Sequence, residues 1–150
     1  MFDVPKNTIN LFRGSFDFLS NFYITPVNFE GLVYNSAECA FQAAKTLNQK
    51  EREQFVNMDP RTAKRMGRMI TLRKDWEQIK DTVMLEIVRN KFKTGVMKEK
   101  LLATGDATLI EGNWWGDEYW GICRNKGLNK LGNILMKVRD ELNEQKDFQV

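Results

Sequence analysis

A carboxylate, an amide and an amine recur at helical spacing in the segment from Ser36 to Lys45. Glu38, Gln42 and Lys45 stand at i, i+4 and i+7, so a helix would point all three in the same direction. The chain contains no histidine, so any chemistry must come from carboxylates, lysine, tyrosine or amides. Burying a charge is costly unless it is paired, so the row predicts a polar cleft lined by the helix. The alternative is a row of ion pairs on a solvated helix face.

The rest of this predicted helix consists of small or apolar residues. Ala37, Phe41 and Ala44 repeat the same spacing one residue earlier and form an apolar row. A surface helix normally spreads its charges broadly over the solvent side, which this one does not. Ser36 precedes the helix and is a favourable N-cap residue.

Composition excludes several classes of active site. Without histidine there is no Ser-His-Asp triad, no Cys-His pair and no His/Cys zinc site. A P-loop and a GxGxxG motif are also missing from the sequence. We therefore expect neither a metal nor another cofactor. The net charge of +3 permits a phosphate-bearing ligand without requiring nucleic acid.

The remaining bulk properties indicate an ordinary globular protein. The 150 residues fit one domain, residues 1–150, and no stretch is apolar enough to span a membrane. Cys39 and Cys123 cannot form a disulfide framework, and the first six residues lack the features of a signal peptide. We therefore expect a cytoplasmic protein.

The pattern of apolar and turn residues predicts a mainly helical α+β fold with a small N-terminal β-sheet. The expected strands and turns are Ile9–Arg13, an aromatic stretch at Phe16–Tyr23, Val27–Phe29, a turn at Glu30-Gly31, and Leu32–Tyr34. Further expected elements are helices over residues 36–45, 59–69, 75–92, 97–102 and 128–142, a strand at Thr108–Glu111 that returns to the N-terminal sheet, and a loop over residues 112–126. The tail after Asn143 is polar and is expected to fray.

Specific residues support the helix boundaries. Asp59 followed by Pro60 is a strong start signal, and Asp75 is expected to cap the next helix. The apolar positions of that helix follow the helical period: Trp76, Ile79, Val83, Met84, Ile87 and Val88. The last helix has a predicted core stripe of Leu128, Leu131, Leu135, Val138 and Leu142.

Two further clusters could bind a polar ligand. The amide of Asn21 could contact a ribose or base, or it could close a turn. The basic segments Ala63–Arg68 and Arg73–Trp76 could hold phosphate groups, because guanidinium groups bind phosphate oxygens in pairs. The alternatives are a solvated basic face and a core position for Trp76.

The aromatic segment Asn113–Gly121 holds three tryptophans, a tyrosine and two acids in a predicted loop. Flat aromatic surfaces suit a nucleobase, and the alternative is an aromatic cover over the core. Gly127–Gly132 follows and is expected to bring backbone amides and Asn129 to a helix N-terminus, where an anion could bind.

Taken together and in this order, these motifs resemble the NADAR domain, the family of YbiA-like N-glycosidases. The matching segments run from Leu19 to Arg139 and include Leu19–Tyr23, Ser36–Lys45, Ala63–Arg68, Arg73–Trp76, Trp120-Gly121 and Gly127–Gly132. The resemblance implies hydrolysis of an N-glycosidic bond to a ribose that carries a 5′ phosphate or diphosphate. It implies two substrate classes: ADP-ribose attached to guanine in nucleic acid, and ribosylamino-pyrimidine phosphates of riboflavin synthesis. Family members that act on nucleic-acid adducts serve as antitoxins or in phage counter-defence.

The resemblance also implies roles for individual residues. Glu38, Lys45 and Asp117 are the expected catalytic residues. By position, the resemblance matches Gln42, Arg65 or Arg68, Trp76, Trp120 and Asn129 to the family's pocket. The other expected substrate-binding residues, Asn21, Arg73 and Gly121, belong to the clusters described above. Glu38 would stabilise positive charge on the ribose or activate water, and Lys45 would either protonate the leaving nitrogen or form a Schiff base.

The chain departs from the family pattern after Trp120-Gly121, where Ile122–Lys126 replaces smaller residues. Arg124 and Lys126 in this segment would suit a polyanionic substrate, which favours ADP-ribosylated nucleic acid. Two other readings are a non-catalytic ADP-ribose reader, which would have no need of Glu38 beside Lys45, and a structural interaction domain.

Overall fold

The computed structural model describes residues 7–147, and in them helices outweigh strands. The mainly helical α+β fold predicted from the sequence is confirmed. The α-helices are α1 (Ala37–Ala44), α2 (Gln49–Gln54), α3 (Pro60–Met66), α4 (Trp76–Lys91), α5 (Gly95–Leu102) and α6 (Lys130–Asp147). The strands are β1 (Thr8–Ile9), β2 (Ile24–Phe29), β3 (Leu32–Ser36), β4 (Thr108–Leu109), β5 (Gly112–Asn113) and β6 (Ile122–Cys123), and a 3-10 helix spans Gly14–Leu19.

The chain divides into two compact units. One unit is formed by residues 21–93, and the other by residues 7–20 together with residues 94–147. Among the described residues, no helix is long and apolar enough to cross a membrane.

A β-hairpin begins the unit of residues 21–93. Strands β2 and β3 pair antiparallel and are joined at Glu30-Gly31, as predicted. Both turn residues have positive φ, 45° and 90°, which matches the twist of two-residue hairpins. The inward side chains of the hairpin are buried, and β2 and β3 pack against α1, with β2 also against α4.

The predicted start signals of α1 and α3 are confirmed. The Oγ of Ser36 accepts a hydrogen bond from the backbone N–H of Cys39 at 3.1 Å. The carboxylate of Asp59 accepts from the N–H groups of Arg61 at 2.8 Å and Thr62 at 3.4 Å. Helix α3 ends at Met66 rather than near residue 69, next to a glycine, which is a poor helix former.

Asp75 occupies the predicted N-cap position of α4, but its side chain forms no capping hydrogen bond. Its backbone, at φ −92° and ψ 9°, differs from the extended conformation typical of capping residues. Its carboxylate instead accepts two hydrogen bonds from the guanidinium of Arg73, at 2.7 and 3.1 Å. The predicted apolar face of α4 is buried at Trp76, Val83, Met84, Ile87 and Val88, and Ile79 is partly exposed.

Helix α2 was not predicted from the sequence, because its six residues, QKEREQ, show no apolar period. Non-local contacts hold it in place. The guanidinium of Arg52 is buried and donates to the carboxylate of Glu30 at 2.9 Å and to the carbonyl of Thr46 at 2.8 Å. The Oδ1 of Asn48 accepts from the N–H of Glu51 and caps the helix.

The other unit contains two short parallel strand pairs. Strand β4 pairs with β1, so the predicted return of Thr108–Glu111 to an N-terminal strand is confirmed, with two residues paired. The strand predicted over Ile9–Arg13 is confined to Thr8–Ile9. The 3-10 helix over Gly14–Leu19 overlaps the first part of the aromatic stretch Phe16–Tyr23, which was expected to form strands and turns. Strands β5 and β6 pair within the predicted loop.

Helix α6 confirms most of its predicted stripe, since Leu131, Leu135, Val138 and Leu142 are buried. Leu128 is 58% exposed, because it precedes the first helical turn and does not share the helical direction. The helix continues to Asp147, so the fraying expected after residue 143 is wrong for the described part of the tail.

Candidate active site

Helix α1 lies in the interior, and every residue from Ala37 to Ala44 is buried. Its alanines and Cys39 are small, so α3 and α4 can pack closely against it. Glu38 is 8% exposed and Gln42 is 4% exposed. The alternative of a solvated row of ion pairs is therefore wrong, and α1 carries buried polar side chains.

The carboxylate of Glu38 is oriented by Gln42 one helical turn later. The Nε2 of Gln42 donates a hydrogen bond to the Oε1 of Glu38 at 2.9 Å. The backbone N–H of Glu38 donates to the carbonyl of Asn21 at 2.9 Å. The side-chain amide of Asn21 donates to the sulfur of Met84 at 3.6 Å, so Asn21 meets Glu38 through its backbone.

The amide oxygen of Gln42 lies directly against Gly67 of the segment after α3. A Cβ atom at residue 67 would overlap this oxygen and approach the Cδ of Gln42 to 2.8 Å. Among residues 7–147, no hydrogen-bond donor contacts this buried oxygen. Gly67 therefore provides the space in which the Gln42 amide can face Glu38.

Lys45 follows the last turn of α1 and is partly buried. Burial lowers the pKa of its ammonium group, the carboxylate of Glu38 opposes this shift, and the charges of Arg68, Lys64 and Lys80 lower the pKa further. Its Nζ lies 5.9 Å from the centroid of the Phe41 ring. The amine therefore gives up its proton more readily than an exposed lysine does.

Trp76 begins α4 and is 6% exposed. Its ring centroid lies 5.0 Å from that of Phe41, with the ring planes at 56°. The tryptophan thus packs α4 onto α1, and little of its ring remains accessible to a base.

The predicted phosphate-binding arginines differ in their surroundings. Arg65 and Arg68 are exposed, and the charge of Arg68 acts on the pKa of Lys45. Arg73 holds the end of α1: its N–H donates to the carbonyl of Lys45 at 2.7 Å, and its guanidinium is paired with Asp75.

In the unit of residues 7–20 and 94–147, Asp117 organises the aromatic loop. Its Oδ1 accepts hydrogen bonds from the N–H groups of Tyr119 at 3.1 Å and Trp120 at 2.9 Å. The Oδ1 of Asn113 accepts from the N–H of Asp117 at 2.9 Å, and the Nδ2 of Asn113 donates to the carbonyl of Asp117 at 2.8 Å.

The ring of Trp120 stands edge-to-face with the ring of Tyr119, with the ring centroids 4.8 Å apart. Gly121 is buried, and a Cβ there would overlap the carbonyl of Glu111.

Asn129 is buried and uses both ends of its amide on backbone groups. Its Oδ1 accepts from the N–H of Glu111 at 3.0 Å, and its Nδ2 donates to the carbonyl of Leu109 at 2.9 Å. The expected anion site at the start of α6 is wrong for the backbone amides of residues 128–131. These amides donate to the carbonyls of Glu118, Gly121, Tyr119 and Trp120.

The unit of residues 21–93 therefore groups Glu38, Gln42 and Lys45, with Trp76 packed beside them through Phe41. Asp117, Trp120, Gly121 and Asn129 belong to the other unit. No group of three His, Cys, Asp or Glu side chains suited to a metal ion occurs within residues 7–147.

A family model of the NADAR domain matches residues 11–143 of the chain. The protein belongs to the NADAR family. N-glycosidase YbiA of Shigella boydii is 40% identical to this NADAR protein over 141 residues, which cover 89% of this chain and 88% of the relative. N-glycosidase Npun_R5314 of Nostoc punctiforme is 37% identical over 131 residues, covering 82% and 83%.

The chain is also similar to a solved structure and to part of a longer relative. The NMR structure of Escherichia coli YbiA matches this NADAR protein with a TM-score of 0.80 and 37% identity, covering 95% of this chain and 89% of that one. Riboflavin biosynthesis protein VVA0006 of Vibrio vulnificus is 37% identical over 139 residues, which are 87% of this chain and 37% of the longer protein.

Two residues of this NADAR protein have positions that the sequence did not predict. Gly67 lies within the basic segment Ala63–Arg68, and its neighbour is the Gln42 amide. Asn113 was considered only as the start of the aromatic segment, whereas its side chain holds Asp117. The spacing from Asn113 to Asp117 in a glycine-containing loop was the available signal for such a turn.

Proposed function

We propose that this NADAR protein hydrolyses the C1′–N bond between a phosphorylated ribose and a base amine. More specifically, we propose that the reaction removes ADP-ribose from guanine in nucleic acid and that the protein has an antitoxin or phage counter-defence role. The observation that carries the proposal is the buried carboxylate of Glu38, oriented by Gln42 on helix α1, which Lys45 directly follows. The proposed substrates occur inside cells, and the proposal accordingly places the protein in the cytoplasm.

The chemistry requires a negative charge near the sugar. Cleavage of the C1′–N bond develops positive charge on the ribose, and a carboxylate held close to it stabilises the transition state. Glu38 supplies this charge or takes a proton from the attacking water. Because its partner Gln42 is itself buried, the carboxylate is held in one orientation before substrate binds.

Lys45 supplies the second group. Its ammonium can donate a proton to the leaving nitrogen, and its neutral amine can attack C1′ of an opened ribose to form a Schiff base. The lowered pKa makes both protonation states accessible closer to neutral pH than for an exposed lysine.

The substrate contacts follow from charge and exposure. Arg68 and Arg65 are exposed and are proposed to bind the phosphates. Trp120 is proposed to contact the base, and Asp117 to orient ribose hydroxyls or water. The contacts of Arg73 to Asp75, and those of Trp76, Gly121 and Asn129 to their neighbours, support roles in shaping the site.

The N-glycosidase class is supported by the names of the Shigella, Escherichia and Nostoc relatives. A second candidate substrate class, ribosylamino-pyrimidine phosphates, is favoured by the relatives named as riboflavin biosynthesis proteins in Vibrio vulnificus and Arabidopsis thaliana. The third candidate, a non-catalytic reader of ADP-ribose, does not account for the buried carboxylate of Glu38.

The test is mass spectrometry of products from an oligonucleotide that bears one ADP-ribosyl-guanine. Release of free ADP-ribose with an intact oligonucleotide is the expected result. Binding that requires the ADP-ribose group, without its release, would support the reader. If neither occurs and a ribosylamino-pyrimidine phosphate is hydrolysed instead, the riboflavin-type activity is correct.

Gly67→Ala is expected to lower kcat/KM about tenfold, because the added Cβ displaces the Gln42 amide and disturbs its hydrogen bond to Glu38. Gly67 has φ −60°, a conformation that alanine adopts readily, so any fall in the unfolding temperature should come from the displaced Gln42 amide and not from backbone strain. The measurement is a double-mutant cycle with Gln42→Ala. In the Gln42→Ala background, Gly67→Ala should have no further effect, and additive losses would show that Gly67 acts by another route.

A further inference from the structure

We infer that Arg13, Trp114, Trp115, Arg124 and Lys126 form a surface, termed here the tryptophan surface, that binds single-stranded nucleic acid. All five residues belong to the unit of residues 7–20 and 94–147. The biological role of this surface rests on the proposed function. The surface would bind nucleotides of the substrate strand other than the one that carries ADP-ribose.

The two tryptophans are exposed side by side. Trp114 is 60% exposed and Trp115 is 51% exposed, and their ring centroids lie 5.0 Å apart with the planes at 80°. Each ring could bury a large apolar area, yet neither does so. Adjacent exposed aromatic rings on a protein surface mark a site of interaction.

Arg13 adds a positive charge to this aromatic pair. Its guanidinium carbon lies 4.0 Å from the centroid of the Trp114 ring, within the range of a cation–π contact. Arg13 is itself exposed, and no carboxylate within residues 7–147 forms a salt bridge with it. A stacked arginine and tryptophan present a charge for phosphate and a ring for a base.

The strand pairing brings a basic turn to the same end of the β5–β6 pair. In this parallel pair Asn113 is opposite Cys123, so Trp114 and Arg124 directly follow the ends of the two paired strands. The N–H of Cys123 donates to the carbonyl of Lys126 at 2.8 Å and the reverse bond is 3.0 Å, which closes a tight turn. Arg124 and Lys126 are exposed on this turn.

The acidic residue nearest in sequence to the tryptophans does not neutralise this charge by an ion pair. The Oδ1 of Asp117 accepts hydrogen bonds from the N–H groups of Tyr119 and Trp120. The surface thus combines three cations with two exposed rings. Basic side chains that follow a phosphate backbone, together with rings on which bases stack, are the features of proteins that bind single strands.

The test is fluorescence anisotropy with an unmodified fluorescein-labelled single-stranded oligonucleotide, titrated with the whole protein at several salt concentrations. Trp114→Ala should weaken binding about tenfold through the loss of one stacked base. Arg124→Gly should reduce the slope of log Kd against log salt by about one. Glycine suits the left-handed backbone of residue 124, φ 51°, so this variant should fold.

The matched controls are Lys137→Ala, which removes one exposed charge from α6, and Leu128→Ala, which shortens one exposed apolar side chain of the same unit. Both should bind as the wild type does. A duplex of the same sequence should bind more weakly, because its bases are already stacked. Absence of binding by the wild-type protein, or equal affinity in all variants, would overturn the inference.

Hydrolysis is measured separately on ADP-ribosylated guanosine, which has no neighbouring nucleotides. Trp114→Ala and Arg124→Gly should leave this rate unchanged while they raise KM for the modified oligonucleotide. If the wild-type protein binds the unmodified oligonucleotide but hydrolyses neither the nucleoside nor the modified oligonucleotide, the proposed function is wrong and the tryptophan surface stands. Equal losses on nucleoside and oligonucleotide would show that these residues serve the reacting site, and the surface would be rejected.

Discussion

Glu38→Gln is expected to lower kcat by about 10³-fold, the effect of removing a preorganised charge or a general base from a reacting centre. The substitution keeps the size of the side chain and an oxygen that can accept from the Nε2 of Gln42, so the packing of α1 should persist. The measurement is the single-turnover rate of ADP-ribose release, with the unfolding temperature recorded for each variant.

Two further variants sharpen this result. Glu53→Gln removes the same charge from an exposed position on α2 and should retain full activity. Glu38→Asp keeps the charge but withdraws the carboxylate from Gln42, so its rate should lie between those of wild type and Glu38→Gln. Full turnover by Glu38→Gln would remove Glu38 from the mechanism and with it the proposed function of α1.

Lys45→Met is expected to lower kcat by about 10²- to 10³-fold, because it removes the group that protonates the leaving nitrogen or attacks the sugar. Methionine preserves most of the length of the partly buried side chain. Lys50→Met, at an exposed position, is the matched control and should retain activity. An active Lys45→Met variant would contradict both roles.

The pH dependence distinguishes the two roles of Lys45. A general acid must be protonated, so the rate would fall as pH rises through the pKa of Lys45. A nucleophile must be neutral, so the rate would instead increase through that pKa. Because burial lowers this pKa, either transition should occur at lower pH than for an exposed lysine. The transition should be lost in Lys45→Met.

Trapping with borohydride tests the covalent route directly. In that route the neutral Lys45 amine adds to C1′ of the opened ribose and the base amine leaves with a proton. The resulting Schiff base is then hydrolysed by water, which restores the lysine. Borohydride would reduce the intermediate to a stable adduct on Lys45, detectable by mass spectrometry. Without an adduct during turnover, the general-acid role is the correct one.

Local sequence signals predicted much of the helical framework. Ser36 and Asp59 cap α1 and α3 as expected, because an N-cap bond joins residues only two or three positions apart. The buried stripes of α4 and α6 follow the helical period. Helix α2 could not be predicted, since its polar residues have no apolar period and its anchor, Arg52, bonds to the distant Glu30.

The candidate site also has features that the sequence predicted and features that it did not. The common direction of Glu38, Gln42 and Lys45 could be predicted from the sequence, because the helical period alone sets their relative orientation. The burial of Glu38 and Gln42 and the position of Gly67 against the Gln42 amide depend on tertiary packing. These are contacts between separate segments, and no local pattern encodes them.

Tertiary contacts also decided which polar groups already have partners. Asn129 and Arg73 have the residue types of ligand-binding groups, yet the amide of Asn129 bonds to the backbone of Leu109 and Glu111, and the guanidinium of Arg73 pairs with Asp75. A residue type states which hydrogen bonds a side chain can form. Which of them it does form depends on the backbone groups that folding brings within reach, because buried polar groups must be satisfied where they lie.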